Sequence, residues 1–418
     1  MQKVTDTYIL SCLLQKARET SFSCVLLSNK FEDAYGRWQY FAGFGIAQVT
    51  EDLSSVDRSA DSPWFGYVSY DYKNSIEQSL SSQHASLCGF ASLKFVLPEI
   101  WVGLDRNGQV HGTAEGLSLW EQIQTGEIDI AQYAEMDAIV QPSVTWSPLT
   151  SRETYLNSVA KIQAGIVEGD YYEMNHCVAF TGTAEIDPYM TFLKLNGKAP
   201  APFACFLKDG DQFLLSASPE RFIAQKGKEL VSQPIKGTRK RQLAEDQAQA
   251  DIEAVASLKE SEKDRAENIM IVDLVRNDMS RVCNSGSVQV PALCEVYTYS
   301  HVHQMISTVK GTLKEGANVK EILHATFPMG SMTGAPKIAV MQATEGLENF
   351  SRGIYSGAVG YVWKDTMDLN VVIRSLMYDA SKQQLSYAVG GAITIDSVAT
   401  EEYQECLDKA ATVLSIFG

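Results

Sequence analysis

Several things are scarce in this chain, and each scarcity excludes a class of protein. None of the eight cysteines forms a CxxC pair, and none stands at zinc-ligand spacing with the six histidines. Scattered single thiols of this kind match the reduced residues of a cytoplasmic protein. Long apolar runs are missing, and none approaches the roughly 18 residues a membrane helix needs. The opening "MQKVTDTYILSCLLQKARET" lacks the uninterrupted apolar core of a signal peptide. A soluble, cytoplasmic protein with no membrane partner is expected. Internal repeats and low-complexity tracts are absent. Positive charge is in short supply, with a formal net charge of −16. Such a field repels polyanions, so no nucleic-acid partner is expected. A small anionic substrate remains open, provided local cations, a metal or backbone amides receive it.

With 418 residues, 45% of them hydrophobic and 21% charged, the chain can bury a large core. Residues 1–120 hold short aromatic and β-branched runs such as "RWQYFAGFG", "WFGYVSYDY" and "SLKFVLPEIWVGL", which predict an N-terminal β-rich subdomain. Residues 121–148 are more polar and read as a connector, with the remaining region, 149–418, as the catalytic part. Ser151 and Thr154 offer N-caps to a helix whose apolar face is Tyr155, Val159, Ile162 and Ile166. Strands are expected in "YYEMNHCVAF", "PFACFLKDG", "QFLLSASPERFIAQKG", "ELVSQPIKGT", "HVHQMISTVKGTL", "LNVVIRSLMYDA" and "QQLSYAVGGAITID". Helices are expected at about 243–259, 262–278, 337–347 and 400–416. The pattern is α/β with many antiparallel strands, without the strict alternation of a Rossmann fold or TIM barrel.

Two of these helices carry paired carboxylates. Asp264 and Glu267 stand at i, i+3 in "EKDRAENIMIVDLVRND", beside an apolar side of Ile269, Ile271, Val272 and Val275. Glu402 and Glu405 repeat the spacing above Leu407, Ala411 and Leu414. A solvated acidic face explains each pair alone, and a divalent ion held between the helices explains both. All-oxygen ligands favour magnesium over zinc. "FPMGSMTGAPKIAVMQ" sets Ser331 and Thr333 before a helix start, with Pro336 fitting its first turn, a place for a carboxylate or simply a capped helix. It is not a Walker loop. Gly390 and Gly391 mark either a strand bulge or a close approach. Arg374 lies in an apolar run and is expected to meet a buried anion. Tyr355 and His303 are polar groups that fit a core as well as a site. "SQPIKGTRKRQ" concentrates Lys236, Arg239, Lys240 and Arg241, a basic cluster in an acidic chain.

Together "SASPERF", "PIKGTRKR", "KDRAENIMIVDLVRND", "HVHQMISTVKGTL", "FPMGSMTGAPK", "GIYSGAVGYV" and "AVGGAITIDS…EEYQECLDKA" resemble, in order, the motifs of chorismate-utilising enzymes. The likeness runs from about residue 150 to 416. It implies an α+β unit of two packed antiparallel sheets with helices outside and a site in a deep cleft. It implies that Glu267 and Glu405 bind Mg2+, with Asp264 and Glu402 beside them. It places the chorismate side-chain carboxylate at Arg374, Tyr355 and the amides near Gly390 and Gly391, and sets Ser331 and His303 along the ring.

Two positions distinguish the branches of that family. Chains that aminate ring carbon 2 typically have alanine at the position of Lys236, whereas "PIKGT" is common in the branch that aminates carbon 4. Branches that add water carry a lysine in the earlier strand, assigned here to the position of Asn175. Both positions imply amination at carbon 4. Lys236 is then the nucleophile and Glu220 the acid for the departing hydroxyl. A neutral Lys236 is expected, through burial or the nearby Arg239. No glutaminase segment is recognisable, so a separate glutamine amidotransferase subunit is the expected source of ammonia. Amination at carbon 2, addition of water, and a non-catalytic binding module are the alternatives.

Overall fold

The computed structural model describes residues 4–130, 142–241, 247–299 and 302–417. Part of the expected connector, 131–141, and the start of the helix expected at 243 lie outside the described residues. Two antiparallel sheets, of 11 and 10 strands, stack face to face. The first runs, edge to edge, Gly334–Ala335, Glu173–Thr183, Gln384–Ile393, Ser375–Asp379, Gln212–Ser218, Phe203–Asp209, Phe22–Leu27, Trp38–Phe44, Ile100–Asp105 and Val110–Gly112. The second runs Ile235–Lys240, Val302–Thr312, Glu229–Ser232, Arg221–Lys226, Thr366–Val371, Ala358–Trp363, Trp64–Val68, Leu93–Leu97 and Gln48–Thr50. Gln289–Thr298 pairs with the Val302–Thr312 strand.

The β-rich N-terminal stretch shares both sheets with the rest of the chain. Phe22–Leu27 pairs with Phe203–Asp209, and Trp64–Val68 pairs with Ala358–Trp363. Alternation along the strands builds two cores. Phe22 and Cys24 enter the core between the sheets, while Val25 and Leu27 face the helices that cover the first sheet. Phe41 and Leu214 of the first sheet meet Phe65 and Leu369 of the second. Each such side chain contributes about 1.5–3 kcal/mol on burial. The outer helices include Arg152–Glu168, capped by Ser151, with Tyr155, Val159 and Ile162 buried as expected. All eight cysteines are free and buried. Among the described residues no helix is long and apolar enough to cross a membrane.

Several local expectations shift. In helix Glu262–Val282, Ile271, Val272 and Val275 are buried but Ile269 is exposed. In helix Ala399–Leu414 the buried stripe is Glu402, Cys406, Ala410 and Val413. That is one position round from Leu407, Ala411 and Leu414, of which the two leucines are half-buried and Ala411 is exposed. Pro336 caps helix Lys337–Leu347 from just outside its first turn. Two runs expected as single strands are each broken. "QFLLSASPERFIAQKG" leaves the first sheet at Ser218 and joins the second at Arg221. "LNVVIRSLMYDA" makes the reverse crossing between Val371 and Ser375.

Candidate active site

The two crossings lie side by side, and each carries an ionisable group. The Val371 amide donates to the Glu220 carbonyl (3.0 Å), and the Ala217 amide donates to the Arg374 carbonyl (3.2 Å). Arg221, next to Glu220, is buried and forked between Asp33 and Asp368, each reached at 2.9 Å, which fixes the first crossing. Glu220 is 5% exposed. Its Oε1 accepts a 2.7 Å hydrogen bond from Ser331. Burial pushes this carboxyl up to about 7, against the opposing pull of the Ser331 bond, Lys236 and Arg374.

Arg374 stands in the left-handed region at φ 51° rather than within a strand. A non-glycine residue held there is strained, a state that persists only where its surroundings enforce it. Its guanidinium makes no ion pair or side-chain hydrogen bond among the described residues. Burial lowers its pKa, with Tyr387 and Glu220 opposing. A desolvated, unpaired guanidinium is a receptor for an anion. On its side away from Gln212–Ser218, strand Ser375–Asp379 pairs with residues 384–387 of strand Gln384–Ile393. The stretch 388–393 therefore has an open edge on that side, near Arg374. Gly390 and Gly391 lie along it and face opposite sides. A Cβ on Gly390 would come within 2.6 Å of Cys177 Sγ and 2.7 Å of the His176 carbonyl, so only glycine fits. A Cβ on Gly391 would point at Glu402 and Glu405 in ordinary contact.

Lys236 lies on strand Ile235–Lys240, its side chain 11% exposed. Its Nζ is 3.0 Å from Oε1 of Glu173. The expectation of a neutral lysine fails in this state. Burial does disfavour the ammonium, but Glu173, Glu267 and Glu220 outweigh it and raise the pKa. Arg239, expected to repel the charge, is instead drawn to Asp264 at 2.8 Å. Arg241 pairs with Asp251 at 3.0 Å.

Glu173 was not singled out from the sequence, where attention fell on Asn175 two residues on. Both share the strand face turned to the second sheet, but the side chain against Lys236 is Glu173. Asn175 is engaged internally, donating to the Ser331 carbonyl (3.2 Å) and accepting from Cys177. Arg352 is a second missed group. Fully buried, it donates to the carbonyls of Met332 (2.7 Å) and Asn175 (2.9 Å) and pairs with Glu348, which ties the Ser331 loop to the Asn175 strand. An arginine within "ENFSRGIYSG" was its only signal. Tyr355 is buried with its hydroxyl 3.8 Å from Cys177 Sγ, and burial pushes its pKa well up. His303 is not brought to Lys236. Its ring bonds Thr298 (2.9 Å) and Asp251 (3.0 Å), on the side of its strand that faces helix Ala248–Glu260. Strand alternation decides this: Met305, on the same side, packs against Leu258.

The acidic pairs converge from two helices, but three of the four carboxylates have a cation. Lys263 reaches Glu402 at 3.1 Å, and Lys409 reaches Glu405 at 2.6 Å. Burial opposes the Lys263 ammonium, yet Glu402, Glu267 and Glu405 together raise its pKa. Asp264 is committed to Arg239. Among the described residues no three His, Cys, Asp or Glu side chains stand close enough to hold a metal. Glu267 nevertheless fits a cation. It is 8% exposed, its Oε1 is buried without a partner among the described residues, and burial pushes its carboxyl up to about 7. Glu267, Glu402 and Glu405 present the hard oxygen donors magnesium prefers.

Comparison with known proteins bears on this site. Residues 22–415 match the family described as chorismate binding enzyme. The chain is 42% identical over 271 residues to the aminodeoxychorismate synthase of Streptomyces griseus, covering 63% of this chain and 36% of that protein. It is 33% identical over 357 residues to aminodeoxychorismate synthase component 1 of Bacillus subtilis (strain 168), covering 82% of this chain and 74% of that one. The match thus spans little more than a third of the Streptomyces relative's length. Anthranilate synthase component I from Streptococcus pneumoniae TIGR4 has the same fold, with a TM-score of 0.75 at 26% identity over 94% of this chain and 90% of that one. The chain belongs to the chorismate binding enzyme family.

Proposed function

We propose that this chain aminates chorismate at ring carbon 4, forming 4-amino-4-deoxychorismate on the route to p-aminobenzoate and folate. The observation that carries this reading is a buried lysine, Lys236, electrostatically coupled to a buried carboxyl, Glu220, whose pKa is near 7. Hydroxide is a poor leaving group at carbon 4. An amine adding at carbon 2 shifts the ring double bonds as the carbon 4–oxygen bond breaks, which divides one hard step into two. Lys236 supplies that amine. Glu220, half protonated near pH 7, gives the proton that lets the oxygen leave as water. Ammonia then adds at carbon 4 and expels the lysine, and Glu220 recovers a proton from the new amine.

Arg374 and the open edge at Gly390 and Gly391 receive the side-chain carboxylate, with Tyr355 beside them. Ser331 holds Glu220 in place. Glu267 and Glu405, with Glu402 adjoining, would hold Mg2+, which when bound neutralises the ring carboxylate. Asp264 is positioned to steady this region through Arg239. His303 has no step here; it braces its strand against Asp251. Relatives named component 1 support a separate glutamine amidotransferase as the source of ammonia.

Product analysis with chorismate, magnesium and an ammonium salt tests the reading. 4-Amino-4-deoxychorismate is expected, and anthranilate or isochorismate as main product overturns it. Lys236→Ala is expected to abolish carbon-4 amination, and unchanged turnover removes the covalent role.

A further inference from the structure

The ammonium form of Lys236 has no lone pair with which to attack, so its proton must go somewhere. We propose that Glu173 takes that proton and so releases Lys236 as a nucleophile; this rests on the assignment of Lys236 above. The contact is direct, Nζ to Oε1 at 3.0 Å. Among the described residues Glu173 is the only carboxylate within ion-pair distance of Lys236. Glu220 and Glu267 also face the lysine, but at longer range. Glu220 is bonded to Ser331, is faced by Arg374, and is reserved for the leaving oxygen.

Glu173 is built to accept. It is 1% exposed, and its Oε2 is buried without a partner among the described residues. Among the described residues its side chain has no hydrogen bond besides the one to Lys236 that taking a proton would disturb. Its backbone cannot retreat. The flanking amides of Tyr172 and Asn175 donate to the carbonyls of Ala335 (2.7 Å) and Thr333 (2.8 Å). Gly334 lies so close that a Cβ there would fall 2.1 Å from the Glu173 carbonyl oxygen. The loop that places Ser331 on Glu220 therefore also places Glu173 on Lys236.

Substrate binding expels water from the cleft, and a low dielectric favours the neutral amine–acid pair over the ion pair. The Nζ–H bond breaks toward Oε1, leaving an amine and a neutral carboxyl. The freed lone pair forms the bond to carbon 2, and the proton that completes the departing water comes from Glu220. When ammonia later expels the lysine, the amine takes its proton back from Glu173. No outside oxidant or base is needed.

The test is turnover of Glu173→Gln and Glu173→Asp at constant free ammonia across neutral to mildly alkaline pH, alongside Lys236→Ala. Glu173→Gln is expected to lose roughly 10²–10⁴-fold in kcat. It should form the same product with little change in KM for chorismate. Its rate relative to wild type at the same pH should climb about tenfold per pH unit, because solvent must then deprotonate the lysine while the Glu220 limb is common to both. Glu173→Asp should recover part of the rate. Wild-type turnover in Glu173→Gln, or a loss with an unchanged pH profile, overturns the inference while leaving the nucleophile intact. Full turnover in Lys236→Ala instead overturns the nucleophile, and this inference with it.

Discussion

Glu220→Gln separates the chemical from the structural consequences of burying an acid. In the folded chain this carboxyl titrates at about 7 rather than 4.5. The shift raises its protonated fraction at alkaline pH by about 300-fold over an ordinary carboxyl, which is what a general acid requires. It also has a stability cost with a definite sign. The folded state binds the proton more tightly than the unfolded chain. The stabilising contribution is therefore complete below pH 4.5 and is lost as pH rises through 7. The difference of about 2.5 pH units corresponds to about 3 kcal/mol at pH 8. Glutamine keeps the shape and an acceptor for Ser331 but never ionises. Urea denaturation in the presence of a chelator should find Glu220→Gln and wild type similar at pH 5. At pH 8 the variant should be more stable by about 2–3 kcal/mol. Its kcat should fall roughly 10²–10⁴-fold, and the alkaline limb of kcat/KM near pH 7 should disappear. Equal stabilities at pH 8, or an unchanged alkaline limb, would refute both the burial argument and the role as acid.

Ser331→Ala removes a bond that lowers the Glu220 pKa, so the alkaline limb of kcat/KM should move to higher pH; a titration of rate against pH reads it. Gly390→Ala forces a methyl onto Cys177 Sγ and should destabilise the fold by about 1–3 kcal/mol, measured by denaturation. Glu267→Gln should raise the magnesium concentration needed for half-maximal activity by roughly tenfold or more, and direct calorimetric titration of magnesium should show the same loss.

Much of the site was legible because its groups are named by local context. A lysine between Ile235 and Gly237, a glutamate in "SPERF", and an arginine in an apolar run are unusual enough to be marked by type alone. The helix cap at Ser151 was equally local, since a hydroxyl meets an amide three residues on. Glu173 was not legible. In "YYEMNHC" it is one charged residue at a strand start, and nothing nearby says that a lysine 63 positions later will meet it. The charge state of Lys236 was misjudged for the same reason. Its nearest charged neighbour in sequence is Arg239, but its charged neighbours in space are three carboxylates from other elements.

The sequence by itself determined the family motifs, the alternation of the strands, and the residue types proposed for acid, nucleophile and anion recognition. These depend on neighbours a few positions apart. Only the tertiary structure decided that Glu220 and Arg374 sit where the chain changes sheets, that Gly390 and Gly391 face opposite sides, and that His303 turns away toward Asp251. Those outcomes follow from strand register and sheet crossing. A one-residue change in register reverses every side chain, and the pairing that sets it joins segments far apart in the chain.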